Sequence, residues 1–252
     1  MANRSTEESG SFDATSTAAG TVRQAVLSEL RASGPTAGVA LVLHGGKSHS
    51  HEPVEATHLS PARMVPIARH LHRAGRKNGL AVWSLRNSVR GWNGADMSPL
   101  HDARWALEQI SSRHPGVPVF LVGHSMGGLT AVCAADHPQV QAVVALAPWL
   151  SPGTPVSAVA GRKVLIVHGT IDRWTSPSAS LAFARRAAAG AGSMQYVALK
   201  GAGHFMLRKI RLWHTLSTGF VLKSFRESTG ADVALPRGFD QLLPASSVQV
   251  TL

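Results

Sequence analysis

Ser125 stands at the centre of the pentapeptide Gly123-His124-Ser125-Met126-Gly127, directly after the apolar run 117–122 and before the small-residue stretch 129–135. A serine hydroxyl is a weak nucleophile, and a sharp strand-to-helix turn is what lifts it into an exposed, strained pose. The flanking glycines remove the Cβ atoms that would clash in such a turn. The helix that follows aims its free N–H groups at the place where negative charge would develop. Activation also needs a base and a group to orient that base. Between Asp136 and Glu227 the chain contains a single acidic residue, Asp172, in the loop after the apolar run 164–167. Beyond it two histidines remain. His204 follows a strand-like run and is preceded by Gly201-Ala202-Gly203, whereas His214 lies in an amphipathic helical stretch beside Trp213 and reads as a packing or surface residue. The expectation is therefore a Ser125, Asp172, His204 triad, with the amide of Met126 as one oxyanion donor. Asp172 has a second reading, as the cap of a helix that begins near Ser176. His168 precedes the acid and reads as a residue packed beneath its loop.

The elements that must hold these residues are legible as six apolar, β-branched runs at 39–43, 80–85, 117–122, 140–146, 164–167 and 195–199. Near-continuous hydrophobicity of this kind marks strands buried on both faces of a parallel sheet. Helical patterns at 64–74, 101–110, 178–189 and 207–225 separate most of them. This strand–helix alternation predicts an α/β fold, a doubly wound, mostly parallel sheet with helices on both faces. A further strand within 21–30 is expected to pair antiparallel at one edge. Residues 1–20, rich in Ser, Thr, Ala and Gly, read as a disordered tail with no signal-peptide core, 21–226 as the domain, and 227–252 as a C-terminal tail.

Between residues 39 and 225 the chain resembles the α/β-hydrolase superfamily. The residues that carry the resemblance are His44-Gly45-Gly46, Gly123-His124-Ser125-Met126-Gly127-Gly128, His168-Gly169-Thr170-Ile171-Asp172 and Gly203-His204-Phe205. The order Ser, Asp, His along the chain is the superfamily's own. The run 39–43 ends in His44-Gly45-Gly46-Lys47, similar to the His-Gly-Gly oxyanion loop of lipases and esterases. The resemblance implies that Gly46, or alternatively Lys47, supplies the second oxyanion donor, with His44 bracing the loop. It further implies acyl-transfer chemistry and a loop at Arg90-Gly91-Trp92-Asn93-Gly94 that faces the site. Only about a dozen residues, 151–162, stand where larger members insert a helical cap, so a capless, open site is expected. Trp92, Trp149 and Trp174 are candidate substrate contacts, and equally candidates for ordinary packing beneath loops.

Composition narrows the class. The chain has 252 residues and no apolar run near the roughly 20 residues needed to span a bilayer. A single cysteine, Cys133, excludes an internal disulfide framework and fits a cytoplasmic protein. The net charge of +11 comes without zinc-ligand spacing, a recognition helix or a basic patch interleaved with aromatics, which argues against a nucleic-acid partner. A solvated basic surface is the plain reading, and attraction to acidic substrates such as coenzyme A thioesters or to anionic lipid surfaces is the alternative. Ser48-His49-Ser50-His51 has no further ligands beside it and is read as a loop; neither metal nor cofactor is expected. The residues thus point to a serine esterase or hydrolase acting on esters or thioesters of small to medium size. The same triad could serve an amidase, an acyltransferase or a cofactor-free perhydrolase, and the fold could serve a non-catalytic ligand-binding module.

Overall fold

The computed structural model describes residues 24–243 and 249–252. Eight strands form one sheet: β1 (Val26–Leu30), β2 (Gly38–Leu43), β3 (Leu80–Arg86), β4 (Val119–His124), β5 (Val140–Leu146), β6 (Lys163–Gly169), β7 (Ser193–Leu199) and β8 (Gln249–Thr251). Their spatial order is β1-β3-β2-β4-β5-β6-β7-β8. β1 pairs antiparallel with β3, and every other pairing is parallel. The six apolar runs are the six strands β2 to β7. The edge strand anticipated within 21–30 is β1, with its alternating exposed pattern.

Among the described residues six α-helices connect or flank the strands: α1 (Leu59–Gly75), α2 (Ser98–Arg113), α3 (Met126–Cys133), α4 (Pro177–Ala187), α5 (Ile210–Thr229) and α6 (Phe239–Leu242). Side chains alternate across each strand, so the sheet divides the interior into two cores. On one face Leu41 and Leu121 pack with Leu107 of α2, Val132 of α3 and Phe183 of α4. On the other, Val42 and Val122 pack with Ile67 and Leu71 of α1 and with Trp213, Phe220 and Phe225 of α5. The helices thus cover both faces, as the sequence pattern requires.

The stretch 227–252, expected as a C-terminal tail, packs on the body where it is described. α5 extends to Thr229, Val233 and Phe239 are buried in the second core, and β8 adds a parallel strand to β7. A three-residue strand is too short to carry a periodicity, and what holds it is the open edge of β7 and not its own sequence. The tail expected at 1–20 lies outside the described residues.

Candidate active site

Every residue implicated in chemistry sits at the carboxyl ends of the strands, and Ser125 lies where the chain order reverses, between β2 and β4. Crevices at such switch points are where open α/β sheets bind ligands. Leu43 of β2 lies opposite Gly123 of β4, so the loop after β2 and the turn after β4 emerge side by side. β6 and β7 run in register to Gly169 and Leu199, which brings the loops carrying Asp172 and His204 together.

Ser125 occupies the turn between β4 and α3 with φ 58° and ψ −119°, a strained conformation for a residue with a side chain. Its N–H is held by the carbonyl of Leu146 at 2.9 Å and its carbonyl accepts from Gly128 at 3.0 Å. A Cβ on Gly123 would overlap the carbonyl of Gly127, and one on Gly127 would overlap the carbonyl of Leu43. The elbow therefore closes only with glycine at both flanks, as its sequence suggested.

Ser125 Oγ is 3.1 Å from His204 Nε2, and His204 Nδ1 is 2.8 Å from Asp172 Oδ2. The carboxylate requires a proton on Nδ1, which leaves Nε2 as the acceptor for the serine hydroxyl. Asp172 is fully enclosed. Burial raises its pKa, but hydrogen bonds from His168, His204 and the amides of Thr175 and Trp174 outweigh burial and hold the carboxyl below the usual carboxylate range. Those two amides lie 3.0 and 2.8 Å from Oδ1. The cap of α4 is Ser176, which accepts from the Ala179 amide at 3.1 Å, so the helix does not compete for Asp172.

Two further histidines support this line. His168 Nε2 is 3.2 Å from the same Asp172 oxygen, while its Nδ1 meets the Ser180 hydroxyl at 3.0 Å. The sequence placed His168 beneath the loop, and it does lie there, but in contact with the carboxylate. His124 is buried with Nε2 2.9 Å from the carbonyl of His204, so it anchors the backbone of the candidate base. Burial, and then the nearby His204, push the His124 pKa down to about 3, so its ring is neutral.

The two oxyanion candidates differ in one bond. The Lys47 N–H is committed to the carbonyl of Arg90 at 2.8 Å, whereas the Gly46 N–H has no partner among the described residues. His44 Nδ1 meets the Gly45 carbonyl at 2.6 Å and its Nε2 accepts from the Asn87 amide at 3.1 Å. Because carbonyl and N–H point oppositely across a trans peptide, fixing the Gly45 oxygen also fixes the direction of the Gly46 N–H. His44 thus braces the loop, and burial lowers its pKa to about 4.

The cleft above Ser125 has a volume of about 670 Å³ and is lined by Gly46, Arg63, Met126, Trp149, Trp174 and Phe205 among others. Trp149 and Trp174 line this cleft, and Trp92 does not. Backbone bonds from Gly91 to Ser50, Trp92 to Lys47 and Asn93 to Ser48 fold its loop flat against the loop after β2. The indole turns away from the cleft into a separate hollow with Leu100, Leu129 and Cys133. A more apolar cavity of about 440 Å³ between β1, β3 and α1 contains none of Ser125, Asp172 or His204, so the chemistry singles out the cleft. Residues 151–162 form only a short 3₁₀ turn (Ser157–Val159) and no cap. Among the described residues no group of three His, Cys, Asp or Glu side chains comes together as a metal site, and no helix is long and apolar enough to cross a membrane.

Comparison with solved structures bears on this architecture. An α/β serine hydrolase homologue from Coxiella burnetii superposes with a TM-score of 0.60 at 18% identity, covering 79% of this chain and 92% of that one. A Xanthomonas campestris α/β serine hydrolase described as lacking a lid gives 0.59 at 19% identity, covering 84% and 91%. The chain has the α/β-hydrolase fold. A thermophilic esterase from Thermogutta terrifontis, solved with propionate bound, gives a TM-score of 0.61 at 15% identity over 83% of this chain and 92% of that one. The family model for serine aminopeptidase, S33, matches residues 88–164. That span includes the Ser125 elbow of this α/β-hydrolase-fold protein and stops before Asp172 and His204. No curated protein matches by sequence.

Proposed function

We propose that this protein is a serine hydrolase that cleaves carboxylic esters or thioesters through an acyl-enzyme. The observation that carries the reading is the unbroken line from Ser125 Oγ through His204 to Asp172, at 3.1 and 2.8 Å. In the first half-reaction Ser125 Oγ attacks the substrate carbonyl while His204 Nε2 takes its proton. The tetrahedral oxyanion accepts hydrogen bonds from the Met126 and Gly46 amides, and Asp172 stabilises the imidazolium. On collapse His204 returns the proton to the departing alcohol or thiol. Water then attacks the acyl carbonyl while His204 takes its proton, and collapse of the second tetrahedral intermediate returns that proton to Ser125 Oγ as the acid leaves.

The likeness to an esterase with bound propionate supports small acyl groups, and the missing cap supports an open cleft that admits them. The substrate is a small molecule, and neither nucleic acid nor membrane insertion enters the reading. The lone, half-buried Cys133 favours the cytoplasm. Covalent labelling by a fluorophosphonate probe tests the function. Wild type is expected to form one adduct, on Ser125, and to hydrolyse p-nitrophenyl acetate and butyrate. Ser125→Ala should lose both the adduct and turnover while unfolding at the wild-type temperature. Absence of the adduct in folded wild-type protein would favour a ligand-binding module instead.

A further inference from the structure

Arg63 lies one turn into α1, on the same helix face as Leu59 and Ser60, and this face lines the cleft above Ser125. Its guanidinium carbon stands 4.7 Å from the centroid of the Phe205 ring, which in turn is 5.3 Å from the ring of His204. The head group is thus held over Phe205, beside the candidate base. It is half-buried, and burial draws its pKa down from the ordinary value, although a guanidinium keeps its charge in proteins.

That charge has no counterion. Among the described residues Arg63 makes no ion pair and no hydrogen bond, and no aspartate or glutamate lines the cleft. The neighbouring cations are satisfied: Glu52 is 2.7 Å from Arg90 and 3.8 Å from Lys47. A partly desolvated charge without a counterion is unfavourable, and stacking on the Phe205 ring offsets only part of that cost. Arg63 presents a planar fork suited to a carboxylate or phosphate, at the site itself.

We propose that the substrate is an ester or thioester bearing an anionic group, a carboxylate or phosphate, and that Arg63 pairs with that group. This rests on the hydrolase reading and deepens it by naming the substrate class. The fork selects among substrates; the acyl transfer remains the work of Ser125 and His204.

Two substrate pairs test it. In the first the anion is on the acyl half: p-nitrophenyl hemiglutarate against p-nitrophenyl valerate. In the second it is on the leaving half: para-acetoxybenzoate against its methyl ester. The quantity read is the ratio of kcat/KM, anionic over neutral, which cancels any general loss in a variant. Arg63→Met is expected to lower the ratio about tenfold in at least one pair and Arg63→Lys by less, and rising ionic strength should lower it more in wild type and Arg63→Lys than in Arg63→Met. The pair that responds identifies which half carries the anion. Turnover of the esters with neither ratio altered by Arg63→Met would overturn the anionic substrate and leave the hydrolase standing. No turnover of any ester, together with no fluorophosphonate adduct, would overturn both.

Discussion

His168 and Asp172 share a hydrogen bond of 3.2 Å, made to the very carboxylate oxygen that His204 approaches at 2.8 Å. The candidate acid thus receives two imidazoles on one oxygen and two amides on the other, with the Thr175 hydroxyl 3.0 Å from Oδ2. Such a carboxylate cannot rotate, so the imidazole of His204 is held in one plane, aimed at Ser125.

The role of His168 can therefore be measured through turnover. His168→Leu is expected to lower kcat about tenfold, the scale of one hydrogen bond to a charged group, with little change in KM. His168→Gln, which keeps a donor, should recover most of the rate. A thermal shift with kcat unchanged would make His168 merely structural.

Gly46 can be tested by size. A Cβ there would overlap the Arg90 carbonyl and approach Met126 Sδ to 2.7 Å, so Gly46→Ala must push the loop away from Ser125. The expected loss in kcat is on the order of 10²-fold, the cost of one oxyanion donor. Fluorophosphonate labelling should slow in parallel, while ground-state binding of a product acid stays close to wild type.

The buried histidines make stability pH-dependent in a definite direction. His124 and His44 have folded pKa values of about 3 and about 4 against an ordinary 6.5. Below pH 6.5 the unfolded chain takes up protons that the folded protein refuses, so stability falls with pH from there down to those folded values. Between pH 7 and pH 5 each contributes a loss of about 2 kcal/mol. Urea midpoints at the two pH values measure it, and His124→Asn should flatten the slope. Asp172 acts in a lower window: its pKa is depressed, so its contribution is complete above the ordinary carboxylate value of 3.8 and is lost only as pH falls further.

Trp174 and Trp92 should behave differently. Trp174 is 73% exposed and its ring is 6.3 Å from that of His204. Trp174→Ala is expected to raise KM severalfold with unchanged thermal stability. Trp92→Ala should instead lower stability by roughly 1–3 kcal/mol through lost packing and leave the KM of small esters unaltered. Parallel melts and p-nitrophenyl ester kinetics distinguish the two.

Truncation before residue 244 removes β8 and strips the outer partner of Tyr196, Val197 and Ala198. The shortened chain should melt earlier and associate in a concentration-dependent way, as an uncovered strand edge does. Size-exclusion chromatography across a dilution series checks this.

How much was readable along the chain follows from what each feature depends on. The strands from β2 to β7 were legible because burial on both faces leaves an unbroken apolar run. Ser125 was legible because the glycines around it answer to local crowding, and Asp172 and His204 because few residues of their type compete downstream. Other features arise from contacts between segments distant in sequence. Whether Gly46 or Lys47 has a free amide depends on where the Arg90 carbonyl comes to rest, forty-odd positions away. Trp92 left the cleft because its loop is hydrogen-bonded to residues 47–50, which no local pattern encodes. His168 reaches the acid only once β6 and its following loop are folded, and Arg63 meets Phe205 only across the packed helix α1. Residue type and spacing therefore determined the chemistry that is possible here. Which amides, rings and charges face the reacting carbonyl was decided by tertiary packing, because direction in space is set by contacts and not by order in the chain.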